Sequence, residues 1–467
     1  MNVLVTASSG KAASAVNGIT AHSAFALGYN VKAKVIQGRK LNADARNTLA
    51  CQFINLKLII LEEISMCGLF VFHAINNVLQ EIFENNKPFG GISIITVGDF
   101  NQLPPTKDSF VFETGHDSMS KLLGPVLWSN FKLFELTEIM RQRDDVSFAN
   151  ALNNLAVGTT TEAEDEMFRS RQLDNLNIEP SSIRNKVVAL YFENTYVDGY
   201  NNLYVAEQAA EKINSPAFDE CSGLGTKENA IYMLAAAKNL HHKKTQNMKT
   251  NLTLCLHTKY ILTQNIGVPD GLSNGASCTL RKVIMGRTNT GDIVPLRVYV
   301  EFVNVNIGSN TREAKRKTIM DDNVSAEYWT PIERVKRTFT ITESSQLSVT
   351  RNQIPLIPGQ AQTIHASQGS TYEAAMIKVN GLTRKLLYTA CSRVTSWSGL
   401  YLMGNYKKPV KATINNDKSF KEMIRMRTES LLEFQLIFPE DIKSDINLIC
   451  ILHNVRSLNL NFQDVHQ

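Results

Sequence analysis

The chain lacks most features of secreted, membrane-embedded or disulfide-built proteins. Its seven cysteines, at 51, 67, 221, 255, 278, 391 and 450, form no Cys-x-x-Cys pair. That argues against a zinc ribbon or a disulfide framework and fits a reducing compartment. No apolar run reaches the roughly 18 residues of a membrane span, and the apolar start Met1–Ala7 is too short for a signal peptide. A membrane partner is therefore not expected. Charge of one sign is also scarce: 49 Lys plus Arg against 44 Asp plus Glu leave +5, which is compatible with nucleic acid without requiring it. Internal repeats and long low-complexity segments are missing. What is present is enough apolar residue, 43% of 467, to bury real cores. At roughly 100–200 residues per domain, about three domains fit.

The first third reads as α/β. Val3–Thr6, Leu58–Leu61 and Ile92–Val97 are short apolar runs of β type. Between the last two, Phe72, Ile75, Val78, Leu79 and Ile82 recur at helical spacing. Strands apolar throughout and separated by helices predict a parallel sheet covered on both faces. A second α/β stretch has strands at 131–136 and 187–191 and a helix at 145–157. The alternating runs between about 252 and 355 predict a small all-β insertion. Helix and strand return at 361–403, and a helix is expected at 420–438.

Ligands of such sheets sit at the carboxyl ends of the strands, so the residues there carry the chemistry. Leu58–Leu61 is followed by Glu62-Glu63-Ile64-Ser65, and Ile92–Val97 by Gly98-Asp99-Phe100-Asn101-Gln102-Leu103-Pro104-Pro105. Acidic residues at one strand tip suit Mg²⁺ and a positioned water, and a Gln at the neighbouring tip suits a γ-phosphate. Ordinary strand-end carboxylates and a proline-terminated turn are the alternative for each piece alone. Phe25 and Tyr29 are candidates for stacking on bases, with core packing the alternative for Phe25.

These blocks resemble the Pif-type DNA helicases, relatives of RecD in helicase superfamily 1. The likeness runs through Val5–Ala13, Gly18–Ser23, Leu58–Met66, Pro88–Pro105, Leu136–Gln142, Asn265–Ala276, Ala361–Thr371 and Tyr388–Val394, in family order. The resemblance implies two RecA-like α/β domains of the P-loop NTPase type, the first incomplete at its N-terminus, with a small SH3-like β insertion in the second. The corresponding bounds are 1–137, then 138–278 with 353–405, the insertion at 279–352, and a C-terminal extension at 406–467. It further implies ATP and Mg²⁺ as cofactors, single-stranded and forked DNA as partners, and 5′-to-3′ translocation coupled to hydrolysis. DNA repair, recombination and telomere maintenance are the implied settings, in the nucleus or alternatively the mitochondrion.

By the same resemblance, Glu63 polarises the attacking water, Glu62 stands where the family binds Mg²⁺ through Asp, and Gln102 senses the γ-phosphate. Arg141 and Arg393 reach that phosphate, as a bidentate guanidinium suits, and Gly369 lies with the nucleotide. Thr6, Gly10, Lys11 and His22 would grip single-stranded DNA. Thr363, His365 and Gln368 would couple that grip to nucleotide state.

The sequence departs from the family pattern in three places. Gly-x-x-x-x-Gly-Lys-Ser/Thr, whose backbone amides cradle phosphates, is not found, and the expectation is that it lies before Val3. Ser9-Gly10-Lys11-Ala12 does not replace it, because Val5 holds the first glycine's place and Ala12 has no hydroxyl. Glu62 replaces Asp, and Ala366 stands where the family usually has Lys. A truncated or transposon-borne (Helitron) copy fits these departures. A catalytically inactive DNA-binding remnant and a gene-model fragment are the alternatives. In the fragment case the sheet would lack its central strand and leave the neighbouring strands unpaired. Leu448–Leu458 also resembles the opening strand of retrotransposon endonucleases, with an unrelated strand as the alternative.

Overall fold

The computed structural model describes residues 1–28, 31–36, 38, 40–113, 127–287, 291–341, 346–432 and 450–453. The chain divides into two compact units, Met1–Ile183 with Thr363–Gln467, and Arg184–Gln362. These are not the bounds drawn from the family pattern.

The first unit is built on a six-stranded sheet. Its order is Ile19–Thr20, Val3–Ala7, Leu58–Glu62, Ser93–Gly98, Cys450–His453 and Lys132–Glu135. Every pairing is parallel, as strands apolar on both faces require. The helix Leu69–Ile82 sends Phe72, Ile75, Val78 and Leu79 into the core, matching the expected spacing. An aromatic cluster consolidates this layer: Trp128 stacks on Phe131 at 5.0 Å, and Phe72 meets Phe89 edge-on at 5.2 Å. Phe25 is fully buried in the same core, so it packs rather than stacks on bases. Tyr29 lies outside the described residues.

The C-terminal part completes this layer. The helix Lys418–Glu429 is capped by Asp417, which accepts from the Ser419 and Phe420 N–H groups. It buries Met423 and Met426 in the aromatic core, and Glu422 accepts the Trp128 indole N–H at 2.8 Å. The helix ends well before the expected 438, and residues 433–438 lie outside the described residues. Cys450–His453 lies between Ser93–Gly98 and Lys132–Glu135, with Ile451 opposite both Thr96 and Leu133. The expectation of unpaired neighbouring strands is thereby corrected. A four-residue strand from the far end of the sequence takes up their backbone donors and acceptors.

The same unit carries a second β-α-β element. The strands Ala375–Lys378 and Leu400–Met403 pair in parallel, with the helix Arg384–Cys391 between them in sequence. The helix Val146–Val157 is capped by Asp145, whose other oxygen accepts the Trp397 N–H at 2.8 Å.

The second unit is mainly antiparallel. One sheet runs Trp329–Glu333, Ile293–Phe302, Ser277–Arg287, Lys259–Leu262, Leu356–Pro358, and another Val335–Phe339, Leu347–Gln353, Phe218–Gly223. The expected all-β insertion at 279–352 needs correction on two counts. It contains two short helices, Ser309–Ala314 and Arg316–Asp321. Its sheets are also not self-contained: Lys259–Leu262 and Leu356–Pro358 extend one and Phe218–Gly223 the other. The reason is burial, since the inward side chains Leu280, Val298 and Val300 need Tyr260, Leu262 and Leu356 to close their core.

Candidate active site at the strand ends

Two neighbouring strands of the first unit deliver acidic residues to the same edge of the sheet. Leu58–Glu62 ends in Glu62, and Glu63 follows in the left-handed region at φ 54°. A non-glycine residue there is uncommon, and it redirects the chain into the short turn Ile64–Met66. The turn is pinned from the next strand: Ser8 N–H donates to the Glu62 carbonyl at 3.2 Å and Ser8 Oγ to that of Glu63 at 3.0 Å. The Glu62 carboxylate accepts the Glu63 backbone N–H. Oε2 of Glu63 and Oγ of Ser65 are buried with no hydrogen-bond partner. Burial, and then the charge of Glu63, push the Glu62 carboxyl up to about 7. A half-buried acidic pair of this kind offers oxygen ligands to a hard divalent cation. The donor set therefore fits Mg²⁺.

The next strand end is the reverse. Asp99, just past Ser93–Gly98, is 3% exposed. Its Oδ1 accepts the Asn101 N–H at 2.9 Å, and its Oδ2 accepts from Gln102 Nε2 at 3.3 Å and from the Tyr388 hydroxyl at 2.7 Å. Gln102 Oε1 in turn accepts from Arg393 Nη2 at 2.8 Å. Arg393 is 1% exposed, and its Nε donates to the Thr389 carbonyl at 2.9 Å. A continuous chain thus runs from Asp99 through Gln102 to Arg393.

Arg141 joins the same segment, donating through Nη1 to the Ser392 carbonyl at 2.7 Å. Its neighbour Gln142 donates to the Val394 carbonyl at 2.6 Å. Lys11 is half-buried on the short helix Gly10–Ala15 and lies 3.4 Å from the Ala366 carbonyl. Burial and the Arg393 charge lower its ammonium to about 8. Gly369, at φ 75°, lies against the same helix: a Cβ there would stand 3.6 Å from the Cα of Ala12. Gln368 beside it is 2% exposed, and both its amide atoms are buried without a partner.

Glu62, Glu63, Gln102, Arg141, Arg393, Lys11, Gln368 and Gly369 therefore belong to one compact unit, in three groups. Other expected residues stand apart or are occupied. Thr6 corrects the DNA-gripping set: it is fully buried, and its hydroxyl donates to the Ile60 carbonyl at 3.1 Å. Leu4 and Thr6 share one face of the strand, and that face is covered. His22 is exposed on Ala21–Ala24. Thr363 accepts the Ala366 N–H at 3.2 Å and so holds its own turn, and burial lowers the half-buried His365. Sequence reasoning gave no role to Asp99, Tyr388 or Gln142. All three lie inside the quoted blocks, and that proximity was the only signal for them.

Comparison with known proteins gives the relatives of this chain. Residues 1–166 match the family model of the PIF1-like helicases. The chain is 26% identical over 437 residues to the ATP-dependent DNA helicase PIF1 of Emericella nidulans, covering 86% of this chain and 54% of that protein. The chain spans about half the length of the curated relatives it matches. The crystal structure of Pif1 helicase from Candida albicans superposes with a TM-score of 0.63 at 23% identity, covering 91% of this chain and 89% of that one. Bacteroides Pif1, solved with ADP-AlF3 and single-stranded DNA, gives 0.62 at 20% identity, covering 92% and 88%. The mixed α/β fold with parallel sheets is that of the Pif1 helicase structures. Among the described residues, no helix is long and apolar enough to cross a membrane.

Proposed function

We propose that this chain, a relative of the PIF1-like helicases, is the motor part of an ATP-dependent DNA helicase. Hydrolysis of ATP would drive 5′-to-3′ movement along single-stranded DNA and the opening of forked duplexes. The observation that carries the reading is the buried Asp99–Gln102–Arg393 chain at the strand end next to the Glu62–Glu63 pair. A guanidinium held by Gln102 is positioned to meet phosphate charge without reorganising, which favours the transition state. Glu63, with an unpaired carboxylate oxygen, suits the general base that orients water. Glu62 would hold Mg²⁺, which when bound spreads and neutralises the charge of the phosphate oxygens. Arg141 would supply the second guanidinium and Gly369 close backbone approach to the nucleotide. Gly10, Lys11 and His22 would contact the DNA backbone, with Thr363, His365 and Gln368 linking that contact to the nucleotide. Work in DNA repair, recombination and telomere maintenance, in the nucleus, accords with this activity.

The test is DNA-stimulated ATP hydrolysis by the native protein that carries this chain. Wild type should turn over, and Arg393→Ala should lose at least about 100-fold with its single-stranded DNA affinity unchanged. Equal turnover in the two proteins would overturn the assignment. A second reading, a DNA-binding protein without turnover, is favoured by Glu62 and Ala366 at their family positions. Tight DNA binding with no hydrolysis in that same protein would select it.

A further inference from the structure

We propose that Asp198, His241 and His242 form a binding site for one divalent transition-metal ion of the zinc class. None of these residues belongs to the proposed nucleotide or DNA set, and all three lie within the second unit. Asp198 projects from the helix Asn194–Glu207, and the two histidines open the short turn that follows the helix Lys227–Asn239. One ligand atom from each residue lies within 4.8 Å of the other two. Ligand atoms on one tetrahedral zinc ion stand about 3.3 Å apart, given bonds of about 2.0–2.2 Å. Reaching that spacing takes side-chain rotation that opens the 2.7 Å His241–Asp198 pair slightly and draws the third ligand atom in.

The hydrogen-bond geometry favours a metal. His241 Nδ1 accepts the Lys243 N–H at 3.3 Å, so the ring proton resides on Nε2, which faces Asp198 Oδ2 at 2.7 Å. A carboxylate paired with an imidazole in this way is ready to exchange that proton for a cation. His242 is 8% exposed, lies tilted against His241 at 4.2 Å between ring centroids, and its ring makes no hydrogen bond among the described residues. Two imidazole nitrogens and one carboxylate are borderline donors that suit zinc better than magnesium or calcium. Water completes the coordination.

The charged groups facing the cluster are Lys243 and Lys249, and Lys249 shares the field of Asp198. A bound ion therefore competes with Lys249 for the carboxylate, which sets a moderate affinity. The consequence is structural. The ion staples the helix Asn194–Glu207 to the turn after Lys227–Asn239, and binding to the folded chain alone raises its stability.

The experiment uses the full chain without a histidine tag, titrated with Zn²⁺ by calorimetry and with Co²⁺ as an optical probe. One equivalent of Zn²⁺ should bind, the melting temperature should rise, and EDTA should reverse the rise. Asp198→Asn and His241→Ala, both at accessible positions, should each weaken binding at least about tenfold and abolish the shift. The Co²⁺ spectrum should show nitrogen and oxygen ligation without thiolate bands. Absence of binding at micromolar Zn²⁺, or unchanged binding in both variants, would overturn the site. Thiolate bands would do the same by pointing to a cysteine such as the exposed Cys51.

Discussion

Two adjacent strand ends of the same sheet treat their acidic residues in opposite ways. At Asp99 the oxygens receive N–H and O–H donors from Asn101, Gln102 and Tyr388, and Gln102 hands the chain on to a buried arginine. At Glu62 and Glu63 one oxygen is buried with no donor and one carboxyl is pushed towards neutrality. Burial is costly for any polar group left unpaired. The first end is thus framework, already at its energetic minimum. The second stores an unpaid desolvation cost that a ligand can relieve. The contrast separates residues that hold the site together from residues that await something in it.

The comparison breaks most visibly at its framework end. Asp99→Ala removes the acceptor for the Tyr388 hydroxyl, the Gln102 amide and the Asn101 N–H together. It should destabilise the first unit by about 4 kcal/mol, read by urea unfolding. A loss below about 1 kcal/mol would mean that the buried network is incidental. Glu63→Gln probes the open end. Turnover in the DNA-stimulated assay should fall by about 100- to 1000-fold, or about 3 kcal/mol in barrier, while the melting temperature holds or rises. If Glu63→Gln instead unfolds the protein as Asp99→Ala does, the distinction between the two ends disappears.

Much of this contrast was legible in the sequence, because the open end is local. Glu62-Glu63 and the Gly98–Pro105 run sit next to their strands, and Arg141 and Arg393 carry recognisable neighbours. The closed end was not legible, because it depends on long-range partners. Tyr388 is 289 residues from Asp99 and Arg393 is 291 from Gln102, and no local pattern announces such pairs. The same holds for Cys450–His453, whose place between two strands of the first third is set by pairing rather than by spacing. The burial of Thr6 was legible in principle, since Leu4 and Thr6 alternate onto one face, but the family pattern drew attention to its hydroxyl instead. The two helices inside the β insertion follow no strong apolar period, and none of their residues is buried.

Smaller effects sharpen the contrast at the groups around the arginine. Lys11, lowered to about 8 in the folded chain against an ordinary 10.5, is charged below pH 8 and loses its proton above it. Its contact with a DNA phosphate should therefore fade from pH 7 to 9. Single-stranded DNA affinity should fall about three- to tenfold in wild type and stay flat in Lys11→Gln, whose salt slope should be lower by about 0.7. Stability moves the opposite way. Between pH 8 and 10.5 the unfolded chain binds more protons than the folded one, so this group makes folding more favourable as pH rises. An affinity that stays level from pH 7 to 9 in wild type would remove Lys11 from the DNA-contacting set.

Gln368 gives the smallest and most discriminating effect, because both its amide atoms are buried without partners, as Glu63 Oε2 is. Replacing it by leucine, of similar size, removes two desolvated polar atoms and creates none. Gln368→Leu should stabilise the free protein by about 1 kcal/mol in urea unfolding. If the amide awaits a ligand, the same substitution should weaken ATP or DNA binding at the temperature where the free protein has gained stability. A gain in stability with no loss of either ligand would make Gln368 a packing defect and leave the Glu62–Glu63 pair as the one open end. A loss of stability would mean that the amide is already satisfied in the folded chain, and Gln368 would then belong with Asp99 on the framework side.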